Sequence, residues 1–274
     1  MKLNDIPMGT EPINLLLYGS SGSGKTAFCG SAGDRTLIIS PSNGLATLKS
    51  KWFHDTFKSN PFIEEVPLDD VTSAKSYDRY CDIIDLYLEK RADEIDTIIV
   101  DDATTFRRAA MNKGLELGGK LNISKTKSKM EAIKTDVVVP AVQDFGMEMR
   151  LVEMFVRGTA DLCKSKGKHF ILTAHERLLM EKGLNIGDVP TIRRIMPGFT
   201  GQTFPDDITG LFDMTWHTEV KGSGDKTFYQ IRTQGDSVIV AKTRYAGIFP
   251  AFLEKQPLFT DVVKLIQSNT PLRK

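Results

Sequence analysis

The stretch that most constrains this chain is Gly19-Ser20-Ser21-Gly22-Ser23-Gly24-Lys25-Thr26. It satisfies G-x-x-x-x-G-K-[ST] at every fixed position. The apolar run Ile13-Asn14-Leu15-Leu16-Leu17-Tyr18 before it reads as a buried strand, and Thr26-Ala27-Phe28-Cys29 opens a helix. A phosphate-binding loop requires that order of strand, glycine-rich turn and helix. Glycines permit the positive-φ turns that aim backbone N–H groups inward at an anion, and the helix N-terminus adds its positive dipole end. The pattern therefore assigns ATP phosphates to Gly19, Ser20, Ser21, Gly22, Ser23, Gly24, Lys25, Thr26 and Ala27. Lys25 would reach the β- and γ-phosphates, and the Thr26 hydroxyl would hold Mg²⁺.

A second signal matches the first. Thr97-Ile98-Ile99-Val100 is a short apolar run rich in β-branched residues, followed at once by Asp101 and Asp102. A buried parallel strand that ends at a metal site has this composition. Asp101 is expected to hold Mg²⁺ or its water opposite Thr26.

Bulk properties exclude several classes. Net charge is +1, so any attraction to nucleic acid must come from local patches. Cys29, Cys81 and Cys163 are far apart, without a C-x-x-C or a paired histidine, which argues against a zinc site or disulfide framework and for a reducing cytoplasm. No apolar run approaches the ~20 residues of a membrane span. Met1-Lys2-Leu3-Asn4-Asp5 lacks the apolar core of a signal peptide.

Along the chain, residues 1–12 read as an N-terminal arm and 1–274 as one continuous domain. Strands are expected at 36–40 and 62–68, the latter near an edge because of Pro67. Tyr80, Ile83, Ile84 and Leu88 mark one apolar helical face. A long helix is expected from Val142 to Leu162, burying Phe145, Met149, Val152, Phe155 and Val156. Lys168 to Glu176 is a further strand, and its end directs His175 and Glu176 toward the same crevice as Asp101. Two segments stand apart. In 107–135, Arg107, Arg108, Lys113, Lys120, Lys125, Lys127, Lys129 and Lys134 face only Glu116 and Glu131, among several glycines. This is either a solvated insertion or a mobile loop that contacts a phosphate backbone. Residues 177–207 form a second irregular segment with Arg177, Lys182, Arg193 and Arg194. Runs at 211–218, 227–232 and 238–244 predict an antiparallel meander that closes the sheet, and 250–274 contains a last helix.

With these motifs placed in order, and with Ile171-Leu172-Thr173-Ala174-His175-Glu176 and Ala241-Lys242-Thr243-Arg244 among them, the chain resembles the phage RecA-like ATPases. These are also described as nucleotide-binding or AAA-domain proteins and include the RecA-like single-strand annealing proteins of the Sak group. The resemblance spans roughly residues 10–250 in motif order. It implies an α/β P-loop NTPase with a RecA-like core: a mostly parallel sheet flanked by helices, with an antiparallel C-terminal extension. It implies an Mg²⁺-dependent ATPase that acts on single-stranded DNA in recombination or replication, as a homo-oligomeric ring or filament in the cytoplasm. A single-strand binding protein is a further candidate partner.

The resemblance places the two DNA loops at 107–135 and 177–207. Phe199 and Phe204 are the aromatics there, so backbone contact is favoured over base stacking. It also makes Lys242 and Arg244 a basic pair that enters a neighbouring subunit's ATP site. The alternative is a plain exposed strand face. One departure concerns the glutamate that such enzymes place after the second strand to orient the attacking water. Here Ser40-Pro41-Ser42-Asn43 offers no carboxylate, leaving Asp102 and Glu176 as substitutes. An AAA+-like loader of a protein partner and a low-turnover nucleotide switch remain alternative functions.

Overall fold

The computed structural model describes residues 12–41, 45–66, 74–120, 139–181, 191–222, 227–245, 247–254 and 258–268. In chain order its elements are β1 (Asn14–Gly19), α1 (Lys25–Gly30), β2 (Thr36–Ser40), α2 (Lys51–Phe57), β3 (Phe62–Glu65) and α3 (Lys75–Asp85). A wide turn at Leu86–Lys90 extends α3. There follow β4 (Thr97–Val100), α4 (Ala103–Leu117), α5 (Val142–Ser165), β5 (His169–Glu181), β6 (Thr191–Pro197) and α6 (Phe204–Gly210). The chain closes with β7 (Met214–Lys221), β8 (Phe228–Arg232), β9 (Lys242–Thr243), β10 (Phe252–Leu253) and α7 (Phe259–Ser268).

The strands order as β10-β8-β7-β1-β5-β4-β2-β3. From β7 through β3 every neighbouring pair is parallel, whereas β8 and β10 add antiparallel strands beyond β7. The α/β P-loop fold expected from the sequence is the fold observed, and β3 is the edge strand. One expectation needs correction. β7 pairs parallel with β1 and belongs to the core, so the meander begins only at β8, and β9 pairs with β7.

Central strands are apolar on both faces because helices cover both. In β1, Leu16 and Tyr18 join one core with Tyr80, Phe106, Val152, Phe155 and Phe170, under α3 to α6. Leu15 and Leu17 join the other with Phe28, Phe53, Trp216 and Phe259, under α1, α2 and α7. α5 begins where the periodicity placed it and buries Val152, Phe155 and Val156, but Phe145 is exposed.

The described parts of the two segments read as loops are ordered elements. Residues 107–117 lie in α4, whose buried Phe106, Ala109, Ala110 and Leu115 pack inward. Residues 177–181 and 191–197 form an antiparallel hairpin of β5 and β6, and α6 follows. Residues 121–138 and 182–190 lie outside the described residues, as do 1–11 of the arm.

Candidate functional site: a phosphate-loop cleft

β1 delivers the chain to Gly19, which stands between His175 of β5 and Thr218 of β7 in the two parallel registers. The loop then turns through Gly22 (φ 75°) and Gly24 (φ 88°). Gly24 is the N-cap of α1 in a left-handed conformation that an L side chain rarely adopts. Ser23 Oγ lies 2.6 Å from Thr218 Oγ1 and 2.7 Å from the Ser20 carbonyl, which pins the loop to the sheet. Lys25 folds back over its own loop. Its Nζ donates to the carbonyls of Gly19 (2.9 Å) and Ser20 (2.8 Å). Burial lowers the pKa of this ammonium, while Asp101 and Asp102 nearby pull it upward.

Asp101 sits where β4 ends, its N–H bonded to the Ile39 carbonyl at 3.0 Å. Thr26 Oγ1 donates to Asp101 Oδ2 at 2.9 Å, and Thr173 Oγ1 of β5 donates to Oδ1. Burial pushes this carboxyl above the usual carboxylate range, against the two hydroxyl hydrogen bonds that stabilise its charge. A buried carboxylate whose direct side-chain partners here are both hydroxyls, next to a phosphate loop, suits a hard divalent cation. Mg²⁺ prefers oxygen donors and keeps several of its waters, so Thr26 and Asp101 fit it.

The Asp101–Asp102 peptide is cis. Asp102 caps α4, its Oδ1 accepting from Thr105 N at 2.8 Å. Its Oδ2 lies 3.3 Å from His175 Nε2. His175 and Asp102 both line the cleft. Strand alternation sends the next side chain elsewhere. Glu176 Oε2 meets His217 Nε2 at 2.8 Å, and His217 continues to Glu219 and Arg232. Glu176 is not among the residues that line the cleft. Of the two carboxylates offered for the attacking water, the structure brings Asp102 to the site and turns Glu176 into a polar network. At the end of β2, Pro41 borders the cleft, while Ser42 and Asn43 lie outside the described residues.

Lys242 and Arg244 are not among the residues that line the cleft. β9 pairs with Met214 and Thr215 at the start of β7, whereas Gly19 stands opposite Thr218 further along it. Arg244 binds Asp213 at 2.9 Å. Lys242 has a lowered pKa through burial and the nearby Arg244 charge. The expected DNA-contacting cations are also partly engaged. Arg107 binds the buried Glu148 (2.6 Å), the Gly198 carbonyl and Thr200. Lys113 binds Asp78 and Glu116, Lys120 binds Asp144, Arg177 binds the Phe199 and Gly201 carbonyls, and Arg194 binds Asp206.

The phosphate loop, Asp101, Asp102 and His175 thus share one cleft of about 530 Å³, which Pro41, Thr47, Trp52, Thr105 and Tyr229 also line. Sequence reasoning placed His175 at this crevice but gave it no task. Trp52 and Tyr229 carried no local motif.

Two of the solved structures that the chain is similar to are from archaea. The flagellar accessory protein FlaH from Methanocaldococcus jannaschii is 13% identical over 92% of this chain and 88% of its own, with a TM-score of 0.42. A KaiC-like protein from Pyrococcus horikoshii is 11% identical over 83% of this chain and 80% of its own, with a TM-score of 0.36. No curated protein matches the chain. The AAA domain family matches residues 11–245, nearly the whole of the fold and all of the cleft just described, and the chain belongs to that family.

Proposed function

We propose that the chain binds ATP with Mg²⁺ in this cleft and hydrolyses it. The observation that carries the reading is the Thr26–Asp101 contact, which joins the phosphate loop to the acidic strand end across the intervening β5. The loop's backbone N–H groups and the start of α1 would hold the phosphates. Lys25 would exchange its bonds to the Gly19 and Ser20 carbonyls for phosphate oxygens. Thr26 and Asp101 would hold Mg²⁺, which when bound neutralises charge on the terminal phosphates. Asp102 holds His175 at the cleft, and this pair is the polar group placed to orient a water. Steady-state phosphate release tests the reading: K25A and D101N should abolish it.

The resemblance to RecA-like phage proteins supports a finer reading, in which a homo-oligomer acts on single-stranded DNA during recombination or replication. The exposed Arg108 and Arg193 are the described cations on α4 and β6 best placed for a phosphate backbone. The place of Arg244 outside its own cleft fits a role at a neighbour's nucleotide. Salt-dependent binding to a single strand, with and without ATP, tests this. The absence of a carboxylate at the end of β2 favours a second reading, a slow nucleotide switch. Turnover at saturating ATP separates it from the first.

A further inference from the structure

The turn from Gly19 to Thr26 has an anchor that its motif does not supply. Ser23 occupies a position that G-x-x-x-x-G-K-[ST] leaves open, and its partner Thr218 of β7 stands 195 residues away in sequence. Both residues are 2% exposed. Gly19 fits against them only without a side chain: an added Cβ would lie 2.5 Å from the Thr218 carbonyl and 2.9 Å from Ser23 Oγ.

The hydroxyl protons at this anchor run one way. Each hydroxyl has one proton to give. Ser23 Oγ gives its own to the Ser20 carbonyl at 2.7 Å, which leaves its oxygen to accept from Thr218 Oγ1 at 2.6 Å. The Tyr18 carbonyl, at 3.2 Å, is the longer alternative for the Thr218 proton. The Ser20 carbonyl also accepts from Lys25 Nζ at 2.8 Å and from the Ser23 N–H at 3.3 Å. Lys25 must leave that carbonyl to reach a phosphate. A carbonyl that then swung toward the phosphates would set negative charge against negative charge, where an anion site needs N–H groups. Ser23, its rotamer fixed by Thr218, keeps the carbonyl turned away after the lysine has gone.

We propose that Thr218 is a positioning residue for the triphosphate, acting through Ser23 to hold the Ser20 carbonyl out of the phosphate site once Lys25 releases it. This rests on the nucleotide-binding reading above. Its effect falls on phosphate affinity and not on the chemical step.

Calorimetric titrations of the full chain with the Mg²⁺ salts of ATP and tripolyphosphate test this, together with steady-state phosphate release. T218V keeps the shape of threonine without its hydroxyl. T218V and S23A should each weaken both ligands by the same factor, roughly 2- to 10-fold, the worth of one hydrogen bond. The double variant should lose no more than the larger single loss, because both changes remove one contact. T218S retains the hydroxyl and should bind like the native chain. In T218V the KM for ATP should rise with kcat nearly unchanged. A merely structural role would lower the urea midpoint and leave the affinity of the folded chain as it was. Unchanged affinity in T218V, or additive losses in the double variant, would overturn the role of Thr218 and leave the phosphate site standing. If T218V does not fold, S23A decides, and unchanged affinity there overturns the proposal. A native chain that binds neither ATP nor tripolyphosphate would overturn the phosphate site and its anchor together.

Discussion

Asp102 Oδ2 and His175 Nε2 stand 3.3 Å apart just beyond the stretch over which β4 and β5 pair in parallel, and both line the cleft of the phosphate loop. The other Asp102 oxygen caps α4, so the carboxylate holds the helix and the imidazole together. Asparagine also caps well, which makes D102N a clean probe. D102N should lower turnover at saturating ATP about 10²-fold, the low end of what a positioned acid–base group contributes, with nucleotide affinity retained. E176Q should change turnover little, because Glu176 serves His217. The reverse ranking in a phosphate-release assay would reassign the two residues.

Glu148 is almost wholly buried in α5 and binds Arg107 of α4, which reaches on to Gly198 and Thr200 beyond β6. Removing one partner of such a pair leaves a charge in a poor solvent. E148A should cost about 3 kcal/mol in urea denaturation, the lower end for a broken buried pair because Arg107 keeps some solvent contact. A loss near zero would show that the pair does not hold the three segments together.

These two sites show what could be read in advance. The phosphate loop and Asp101 announce themselves because their chemistry fixes residue type and spacing within a few positions. Strands β1, β2 and β4 were plain as apolar runs, and α5 as a 3.6-residue pattern. In the sequence of α4 and of the turn after it, Arg107, Lys113 and the glycines point to a loop and outweigh the helical spacing of Phe106, Ala109, Ala110 and Leu115. Its Gly114 serves helix packing instead: an added Cβ would lie 2.9 Å from Met147 Cγ of α5. The Arg107–Glu148 and Lys113–Asp78 pairs join segments distant in sequence, which no local pattern encodes. The same holds for Tyr229 and Trp52, which share the cleft wall only through the order of the strands.

His169 carries a pH dependence of stability. Its Nδ1 accepts the Ile13 N–H at 3.0 Å, and burial lowers its pKa below the ordinary 6.5. Asp96 opposes the shift and Lys168 adds to it. A folded pKa below the unfolded one means the unfolded chain takes up the proton first. The stabilisation is therefore complete above about pH 6.5 and fades as pH falls toward the folded value, by at most about 1.4 kcal/mol per pH unit. H169Q keeps an acceptor for Ile13 and should flatten the fall in stability between pH 7 and 5.5. An identical slope in both proteins would remove His169 from the account.

R244A breaks the Asp213 contact on the surface, outside the cleft of the chain's own phosphate loop. Nucleotide binding should persist, and stability should change by no more than about 1 kcal/mol. Under the oligomer reading, ATPase stimulated by single-stranded DNA should disappear. Stimulation that survives intact would exclude Arg244 from a shared site.

The most direct measurement is a crystal structure of the chain with Mg²⁺ and a non-hydrolysable ATP analogue. The account predicts triphosphate density inside the turn from Gly19 to Thr26, a metal between Thr26 and Asp101, and the Lys25 ammonium withdrawn from the Gly19 and Ser20 carbonyls. A turn without nucleotide at saturating analogue, with Lys25 still bonded to those carbonyls, would contradict it.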